Sequence, residues 1–281
     1  MRQQAMPESF YRIADTPVRL ETPHPEINTF CDYMLREFVC TTPPADAATV
    51  TVSPCADKKN CYSIHKQGKI AIDWGQELTA VPYNLLSKAL ENIVSGHAIN
   101  QIDKKEIITL HAGAVSRNSK GILILGESGD GKSTFTLEMV ANHNWLYLTD
   151  EVGLLDNRFN LLPFLKTVSY RPGIVRLNSQ WVTKQFGIEH QVAVPKELHG
   201  DPVPLRAVFF VKYAPDSTPA ITPVKKSEAL LRLLNAQIGR AKYVASIEQM
   251  AQVVKRVDSY QLDHNNAAEA ARLVTERMET E

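Results

Sequence analysis

The alternation and spacing of apolar residues predict a chain of mixed strands and helices. Three short segments in the first hundred residues alternate as half-buried strands do: Val50 and Val52, Tyr62 and Ile64, and Ile70, Ile72 and Trp74. A short helix is expected over 28–39, and a second helix is expected to begin near Pro82. Residues 1–100 are therefore expected to form a small α+β domain.

Residues 101–281 show a stronger α/β pattern. Two apolar runs, Ile107–Val115 and Gly121–Leu125, flank a polar turn and predict a β-hairpin whose first arm carries His111. The elements expected next are a helix and two strands, at about 132–143, Trp145–Thr149 and Val208–Val211. Three C-terminal helices are expected from apolar residues three and four positions apart. Strands and helices mixed in this way predict an α/β core.

Composition narrows the class of protein. The 281 residues carry 31 basic and 31 acidic side chains, so no global charge favours nucleic acid or an anionic membrane. No apolar run approaches the roughly 18 residues of a transmembrane helix, and the N-terminal residues lack a signal-peptide core. The sequence predicts a cytoplasmic protein. Its four cysteines are expected to be reduced thiols, with a zinc site or a disulfide as the alternatives.

The segment Gly126–Ser133, GESGDGKS, matches the phosphate-binding pattern GxxxxGK[ST] between a predicted strand and a predicted helix. Its glycines allow the backbone N–H groups to turn inward toward phosphate oxygens, and the helix adds its positive N-terminal end. Lys132 is placed to reach the β- and γ-phosphates, and the Ser133 hydroxyl is placed to hold Mg²⁺. The predicted ATP-binding residues are Gly126, Glu127, Ser128, Gly129, Asp130, Gly131, Lys132, Ser133 and Thr134.

Two further features accompany the loop. Asp150 and Glu151 follow a predicted strand 17 residues after Ser133, where one carboxylate can bind Mg²⁺ and the other can accept a proton from a substrate hydroxyl. An ordinary acidic turn is the alternative. His111 precedes the loop and can hydrogen-bond a carboxylate or a phosphate, although a lone histidine on a strand is more often structural.

The order LHAGAV, GILILGESGDGKS and LYLTDEV resembles the catalytic domain of bacterial HPr kinase/phosphorylases and HPr-kinase-related proteins, best over residues 105–180. The resemblance implies a P-loop kinase core of the HPr kinase/phosphoenolpyruvate carboxykinase type. It implies that Asp150, or alternatively Glu151, is the general base, and that Ser133 and one acid hold Mg²⁺. It gives His111 an auxiliary place near the base.

The sequence departs from that family in two places. The acidic pair is Asp–Glu rather than Asp–Asp, and a downstream Glu–Ile–Arg–Gly signature is absent. The corresponding region contains Lys166 and Arg171, which could bind the substrate or the transferring phosphate, or could be solvated charges beside a strand. The departures favour the HPr-kinase-related proteins, some of which resemble kinases for a serine of a ribosomally made precursor such as a lasso peptide.

These features predict an ATP- and Mg²⁺-dependent kinase whose acceptor is a serine hydroxyl of a peptide or small protein. Residues 101–281 would form the catalytic domain and residues 1–100 a substrate-recruiting unit, and the resemblance implies a homo-oligomer. A small-molecule hydroxyl kinase, a non-catalytic ATP-sensing module and a motion-coupled NTPase are the alternatives. A pure sensor has no need of a base, so the acidic pair favours an enzyme.

Overall fold

The computed structural model describes residues 7–13, 16–23, 25–54, 62–66, 69–74, 96, 107–186, 189–238 and 244–280. The helix expected near Pro82 lies outside these residues, as do Cys55 and Cys61. The chain divides into two compact units, Met1–Ile102 with Gln185–Gln191, and Asp103–Lys184 with Val192–Glu281. In the part of the chain that is described, no helix has the length and apolar character needed to cross a membrane.

Among its described residues, the first unit contains a five-stranded sheet. The strands are Glu8–Ile13, Thr16–Glu21, Ala48–Pro54, Tyr62–Lys66 and Lys69–Trp74, and they neighbour one another in chain order. The second and third strands pair in parallel, and the other pairs are antiparallel. The three strands expected from alternation are confirmed, whereas the two N-terminal strands were not expected.

One helix of the first unit is shorter than the sequence predicts. It spans Pro25–Met34 and is followed by a 3₁₀ turn at Arg36–Phe38, in place of the single helix expected over 28–39. Its buried Ile27 and Phe30 join Tyr11 and other inward residues of the first two strands in the core. Cys31 is buried and Cys40 is half-buried, and no disulfide joins these two thiols.

The second unit contains a mixed α/β fold with several sheets. Its largest sheet, among the described residues, has nine strands: Ile108–Leu110, Gly113–Arg117, Lys120–Leu125, Leu146–Thr149, Gly153–Leu155, Asn160–Leu162, Val203–Tyr213, Ala220–Pro223 and Asp258–His264. Of the remaining strands, Val168–Tyr170 belongs to the second unit, whereas Val182–Phe186 and Glu189–Ala193 extend across the boundary between the two units along the chain. The helices are Lys132–Asn142, Lys226–Asn235, Val244–Arg256 and Ala267–Thr280, with a 3₁₀ turn at Lys196–Leu198.

The centre of the large sheet is covered on both faces. Strand Val203–Tyr213 pairs in parallel with Lys120–Leu125 and with Asp258–His264. Its Phe209 packs in one apolar cluster with helices Lys132–Asn142 and Ala267–Thr280, whereas Phe210 packs in another with helices Lys226–Asn235 and Val244–Arg256. A parallel strand buried on both faces reads as a continuous apolar run, which explains why Val208–Val211 was predictable.

One expectation for this unit is wrong, and one strand was not expected. The run Ile107–Val115 is not one hairpin arm, because Ile108–Leu110 pairs with Gly153–Leu155 while Gly113–Arg117 pairs with Lys120–Leu125. His111 therefore lies at the junction between two strands and not within one. The C-terminal helices are confirmed, but the strand Asp258–His264 between two of them was not expected. Its polar residues interrupt the apolar run that marks the neighbouring strand.

Candidate functional site

The glycine-rich loop joins strand Lys120–Leu125 to helix Lys132–Asn142. Gly129 and Gly131 have φ values of 97° and 81°, in the left-handed region that glycine enters without a Cβ clash. The helix begins at Lys132 with no side-chain cap on its N-terminal N–H groups. Uncapped N–H groups and the helix dipole together favour an anion at this end.

The loop is packed against the sheet at one end and exposed in its middle. A Cβ added at Gly126 would lie 2.8 Å from the carbonyl oxygen of Val211, so only glycine fits without a shift. The Asp130 carboxylate accepts a 2.7 Å hydrogen bond from the Glu127 N–H. Glu127, Ser128 and Gly129 are exposed, and Thr134 is half-buried at the start of the helix.

Asp150 is a buried carboxylate at the end of strand Leu146–Thr149, with only 3% of its surface exposed. It accepts a hydrogen bond from the Ser133 side chain. Its Oδ1 atom has no hydrogen-bond partner within the described part of the chain. Burial, followed by the nearby Glu151 charge, raises the pKa of Asp150 to about 6. The charges of Lys132 and Lys166 act in the opposite direction but do not offset the effects of burial and Glu151.

Glu151 combines an uncommon backbone conformation with an ion pair to a buried lysine. Its φ of 73° is uncommon for a residue with a Cβ, and such strain persists where neighbouring contacts enforce it. Lys166 Nζ lies 2.7 Å from Glu151 Oε2, and the two side chains are 5% and 34% exposed, respectively. Glu151 is thus the member of the acidic pair that a molecule from solution can reach.

His111 connects the loop to the acidic pair. Its Nε2 lies 3.2 Å from Lys132 Nζ, and its Nδ1 lies 3.3 Å from the carbonyl oxygen of Glu151. Burial, followed by the Lys132 charge, lowers the pKa of His111. An ammonium can only donate, so Nε2 accepts from Lys132, and we assign the ring proton to Nδ1, which donates to Glu151.

The helix and the acidic pair approach each other closely at Gly113. A Cβ at Gly113 would overlap the Thr136 hydroxyl oxygen and would lie 3.5 Å from Asp150 Oδ1. Thr136 itself donates a 2.9 Å hydrogen bond to the carbonyl oxygen of Lys132, which fixes that hydroxyl in place. The absence of a side chain at position 113 therefore keeps the Asp150 carboxylate beside the first turn of the helix.

The donor atoms fit a magnesium ion. Ser133 and Asp150 supply a hydroxyl and an unpartnered carboxylate oxygen, the hard oxygen ligands that Mg²⁺ prefers. No group of three or more His, Cys, Asp or Glu side chains suited to a metal occurs among the described residues. A magnesium ion here would therefore take its remaining ligands from phosphate oxygens and water, as it usually does in nucleotide sites.

The candidates named from the sequence do not all meet. The structure brings Lys132, Ser133, Asp150, Glu151, His111 and Lys166 into one connected group. Arg171 is exposed, just after strand Val168–Tyr170, and the contacts that join this group do not include it. Sequence reasoning missed His264, which lies at the other side of the loop beside Gly131. A single histidine at the end of an unpredicted strand gave no signal.

Comparison with known proteins finds little. No protein-family model matches the sequence, and no curated protein matches it. One solved structure with similarity is the Hpr(Ser) kinase/phosphatase from Coxiella burnetii. It is 14% identical, with a TM-score of 0.32, and the match covers 61% of this chain and 94% of that chain. A likeness this distant does not by itself assign a family or an activity.

Proposed function

We propose that this protein is an ATP- and Mg²⁺-dependent kinase that transfers the γ-phosphate to a hydroxyl, with a serine of a peptide or small protein as the acceptor. The proposal depends above all on one observation. A buried carboxylate oxygen without a partner, on Asp150, lies beside the side chain of Ser133 in a phosphate-binding loop. A bound cation would satisfy the Asp150 carboxylate oxygen, and a phosphate would satisfy the loop that carries Ser133.

The contacts favour one division of labour between the two acids. Asp150 is buried and bonded to Ser133, so it is the carboxylate suited to the metal. Glu151 is 34% exposed and paired with Lys166, so it is the carboxylate that an acceptor hydroxyl can approach. This is the exchanged form of the assignment preferred from the sequence, in which Asp150 was the first choice as base. When bound, Mg²⁺ neutralises charge on the β- and γ-phosphates.

The reaction then needs positioning and one proton transfer. The acceptor oxygen attacks the γ-phosphorus, the bond from that phosphorus to the bridging oxygen of ADP breaks, and the hydroxyl proton passes to Glu151. Lys132 leaves His111 to bind the β- and γ-phosphates, and the loop N–H groups hold the phosphate oxygens. His111 keeps its hydrogen bond to the Glu151 carbonyl oxygen and so positions the base. Lys166 Nζ lies 2.7 Å from the base and would add positive charge that stabilises the transferring group.

The proposed acceptor is a peptide or a small protein. It is supported by the resemblance to HPr-kinase-related proteins and by the half-exposed Glu151, which a large substrate can reach. A small-molecule hydroxyl would use the same loop and acids. An ATP-sensing module would have no use for a strained, accessible carboxylate paired with a buried lysine.

The test is phosphate transfer by the full chain. The protein is incubated with ATP, Mg²⁺ and a library of serine-containing peptides, and mass spectrometry is used to detect an added phosphate, with alanine versions of each positive peptide as controls. We expect a serine-dependent gain of one phosphate. Transfer to metabolites alone would support the small-molecule kinase. ATP binding without transfer to any acceptor, or hydrolysis that no acceptor diverts, would contradict the proposal.

A further inference from the structure

The two sides of the phosphate loop carry different chemistry. Strands Gly113–Arg117 and Leu146–Thr149 lie on one side of strand Lys120–Leu125, and the reactive groups His111, Asp150 and Glu151 flank these strands. Strands Val203–Tyr213 and Asp258–His264 lie on the other side. Their final residues, Tyr213 and His264, are paired in register at the end that adjoins the loop.

The direction of a bound nucleotide follows from this asymmetry. The γ-phosphate must approach the acidic pair, because the acceptor and the base are on that side. The triphosphate occupies the loop, so the nucleoside must leave on the opposite side. That side is formed by Tyr213 and His264. A Cβ at Gly131 would lie 3.6 Å from His264 Nε2 and 3.8 Å from Tyr213 Cβ, so both residues adjoin the loop directly.

His264 carries hydrogen-bonding groups that the described residues do not use. Only 2% of its surface is exposed, and neither ring nitrogen has a hydrogen-bond partner within the described residues. Its other neighbours are aromatic, Phe135 at 6.2 Å and Tyr213 at 5.9 Å between ring centroids. Buried polar groups are usually satisfied, so an orphaned imidazole beside a ligand loop points to a missing ligand. A neutral imidazole offers one donor and one acceptor, which suit a ribose or the edge of a base.

Tyr213 supplies the apolar part of the same surface. It is 48% exposed at the end of its strand, and its ring meets that of His264 at 71°. We propose that Tyr213 and His264 form the nucleoside-binding part of the site, with the purine stacking on Tyr213 and His264 hydrogen-bonding to the ribose or base when the loop adjusts to its ligand. This inference rests on the proposed function, since it assumes that the loop binds a nucleoside triphosphate.

The experiment measures the contribution of the nucleoside to binding separately from that of the phosphates. Isothermal titration calorimetry of the full chain with Mg²⁺ compares ATP with inorganic tripolyphosphate, which lacks a nucleoside. Stacking of one base on an aromatic ring is worth about tenfold or more in affinity. We expect Tyr213→Ala to weaken ATP binding by about that factor and to leave tripolyphosphate binding unchanged, with Tyr213→Phe as the matched control that retains ATP binding.

A second pair of variants tests the histidine. We expect His264→Phe, which keeps a ring of similar size, to weaken ATP binding several-fold without affecting tripolyphosphate, and His264→Gln to retain more of the ATP affinity. Since His264 is buried, its variants could fail to fold, and the exposed Tyr213 then carries the test. Equal losses for ATP and tripolyphosphate, or no loss for either, would overturn the inference.

The same titrations, read together with the phosphate-transfer assay, distinguish this inference from the proposed function. If the wild type binds ATP through Tyr213 but transfers phosphate to no acceptor, the nucleoside assignment stands and the kinase proposal falls. If the wild type transfers phosphate and Tyr213→Ala binds ATP normally, the kinase proposal stands and the nucleoside assignment falls. If the wild type binds neither ATP nor tripolyphosphate, both fall.

Discussion

Lys132 Nζ lies 3.2 Å from His111 Nε2, so the lysine of the phosphate loop is hydrogen-bonded to a residue that precedes it by 21 positions. The other ring nitrogen of His111 lies 3.3 Å from the Glu151 carbonyl oxygen. The imidazole thus links the group that would bind phosphate to the backbone of the group that would accept a proton. A change at His111 should therefore affect both.

We expect His111→Ala to lower phosphate transfer by about tenfold or more, since it removes the hydrogen bond that positions Glu151. His111→Gln, which keeps a donor and an acceptor, should retain more activity. Burial and Lys132 lower the pKa of His111, so its contribution to stability is present above pH ~6.5 and is lost as the pH falls through the lowered value. Denaturant unfolding should show the stability difference between wild type and His111→Gln shrinking from pH 7.5 to pH 5. A constant difference would contradict the assignment.

Lys132→Ala should abolish phosphate transfer and weaken ATP binding while the fold remains intact. The ammonium is the side-chain cation that the loop motif places at the β- and γ-phosphates. Single-turnover transfer and calorimetric ATP titration measure the two effects, and circular dichroism checks the fold. The exposed Lys255, on helix Val244–Arg256, gives the matched control Lys255→Ala, which should change neither. A folded Lys132→Ala protein with near-normal transfer would remove the phosphate-loop assignment.

Asp150→Asn should remove the stabilisation by Mg²⁺ and ATP and should stabilise the ligand-free protein. Burial raises the pKa of Asp150 to about 6. The protonated carboxyl therefore gives the fold a stability that is fully present below the unfolded pKa of Asp and is lost as the pH rises through 6. Without ligands, Asp150→Asn should be more stable than wild type at pH 7.5, by on the order of 3 kcal/mol, and the difference should vanish toward pH 4.

Adding Mg²⁺ and ATP should reverse that order, because the cation stabilises wild type and not Asp150→Asn. Thermal unfolding at pH 7.5, with and without the ligands, measures the reversal. Ser133→Ala should raise the Mg²⁺ concentration needed for half-maximal transfer, since one metal ligand is lost. If Mg²⁺ and ATP stabilise Asp150→Asn as much as wild type, Asp150 does not hold the metal.

Glu151→Gln should lower single-turnover phosphate transfer by a factor on the order of 10² while ATP affinity changes little, which is the usual effect of losing a general base. Lys166→Met, which removes the ammonium 2.7 Å from the Glu151 carboxylate, should also slow transfer but less severely. Calorimetry supplies the ATP affinity for each variant. If Glu151→Gln changes only the Mg²⁺ dependence and Asp150→Asn behaves as the loss of a base, the two roles are those preferred from the sequence.

Gly113→Ala should destabilise the second unit by about 1 to 3 kcal/mol, because its methyl group would overlap the Thr136 hydroxyl oxygen. The double variant Gly113→Ala/Thr136→Ala removes that oxygen and should recover part of the lost free energy of unfolding. Gly173→Ala is a contrasting control, since a Cβ there meets no atom within 4 Å and only the φ of 85° opposes it. Equal stability of the single and double Gly113 variants would show that the overlap is not the cause.

The elements next to the loop could be predicted because their signals are local. GESGDGKS places glycines where the backbone turns and a lysine and serine where a helix begins, and the apolar spacing after it predicts the helix observed at Lys132–Asn142. The buried runs around Leu123 and Val208 were recognisable for the same reason. The two N-terminal strands and the strand Asp258–His264 were not, since each has few apolar residues among polar ones and its burial depends on partners elsewhere in the chain.

The site beyond the loop depended on tertiary structure. The sequence by itself identified Lys132, Ser133, Asp150, Glu151 and His111 as candidates, but it placed His111 within a strand, and it preferred Asp150 as the base from the family resemblance alone. Three contacts of the site depend on residues that are distant along the chain. They are the contact of His111 with Glu151, the pairing of Lys166 with Glu151, and the position of His264 beside Gly131. Contacts of that kind arise from sheet order and helix packing. The free energy that fixes them comes from burial shared among many elements, so no local pattern in the sequence indicates them.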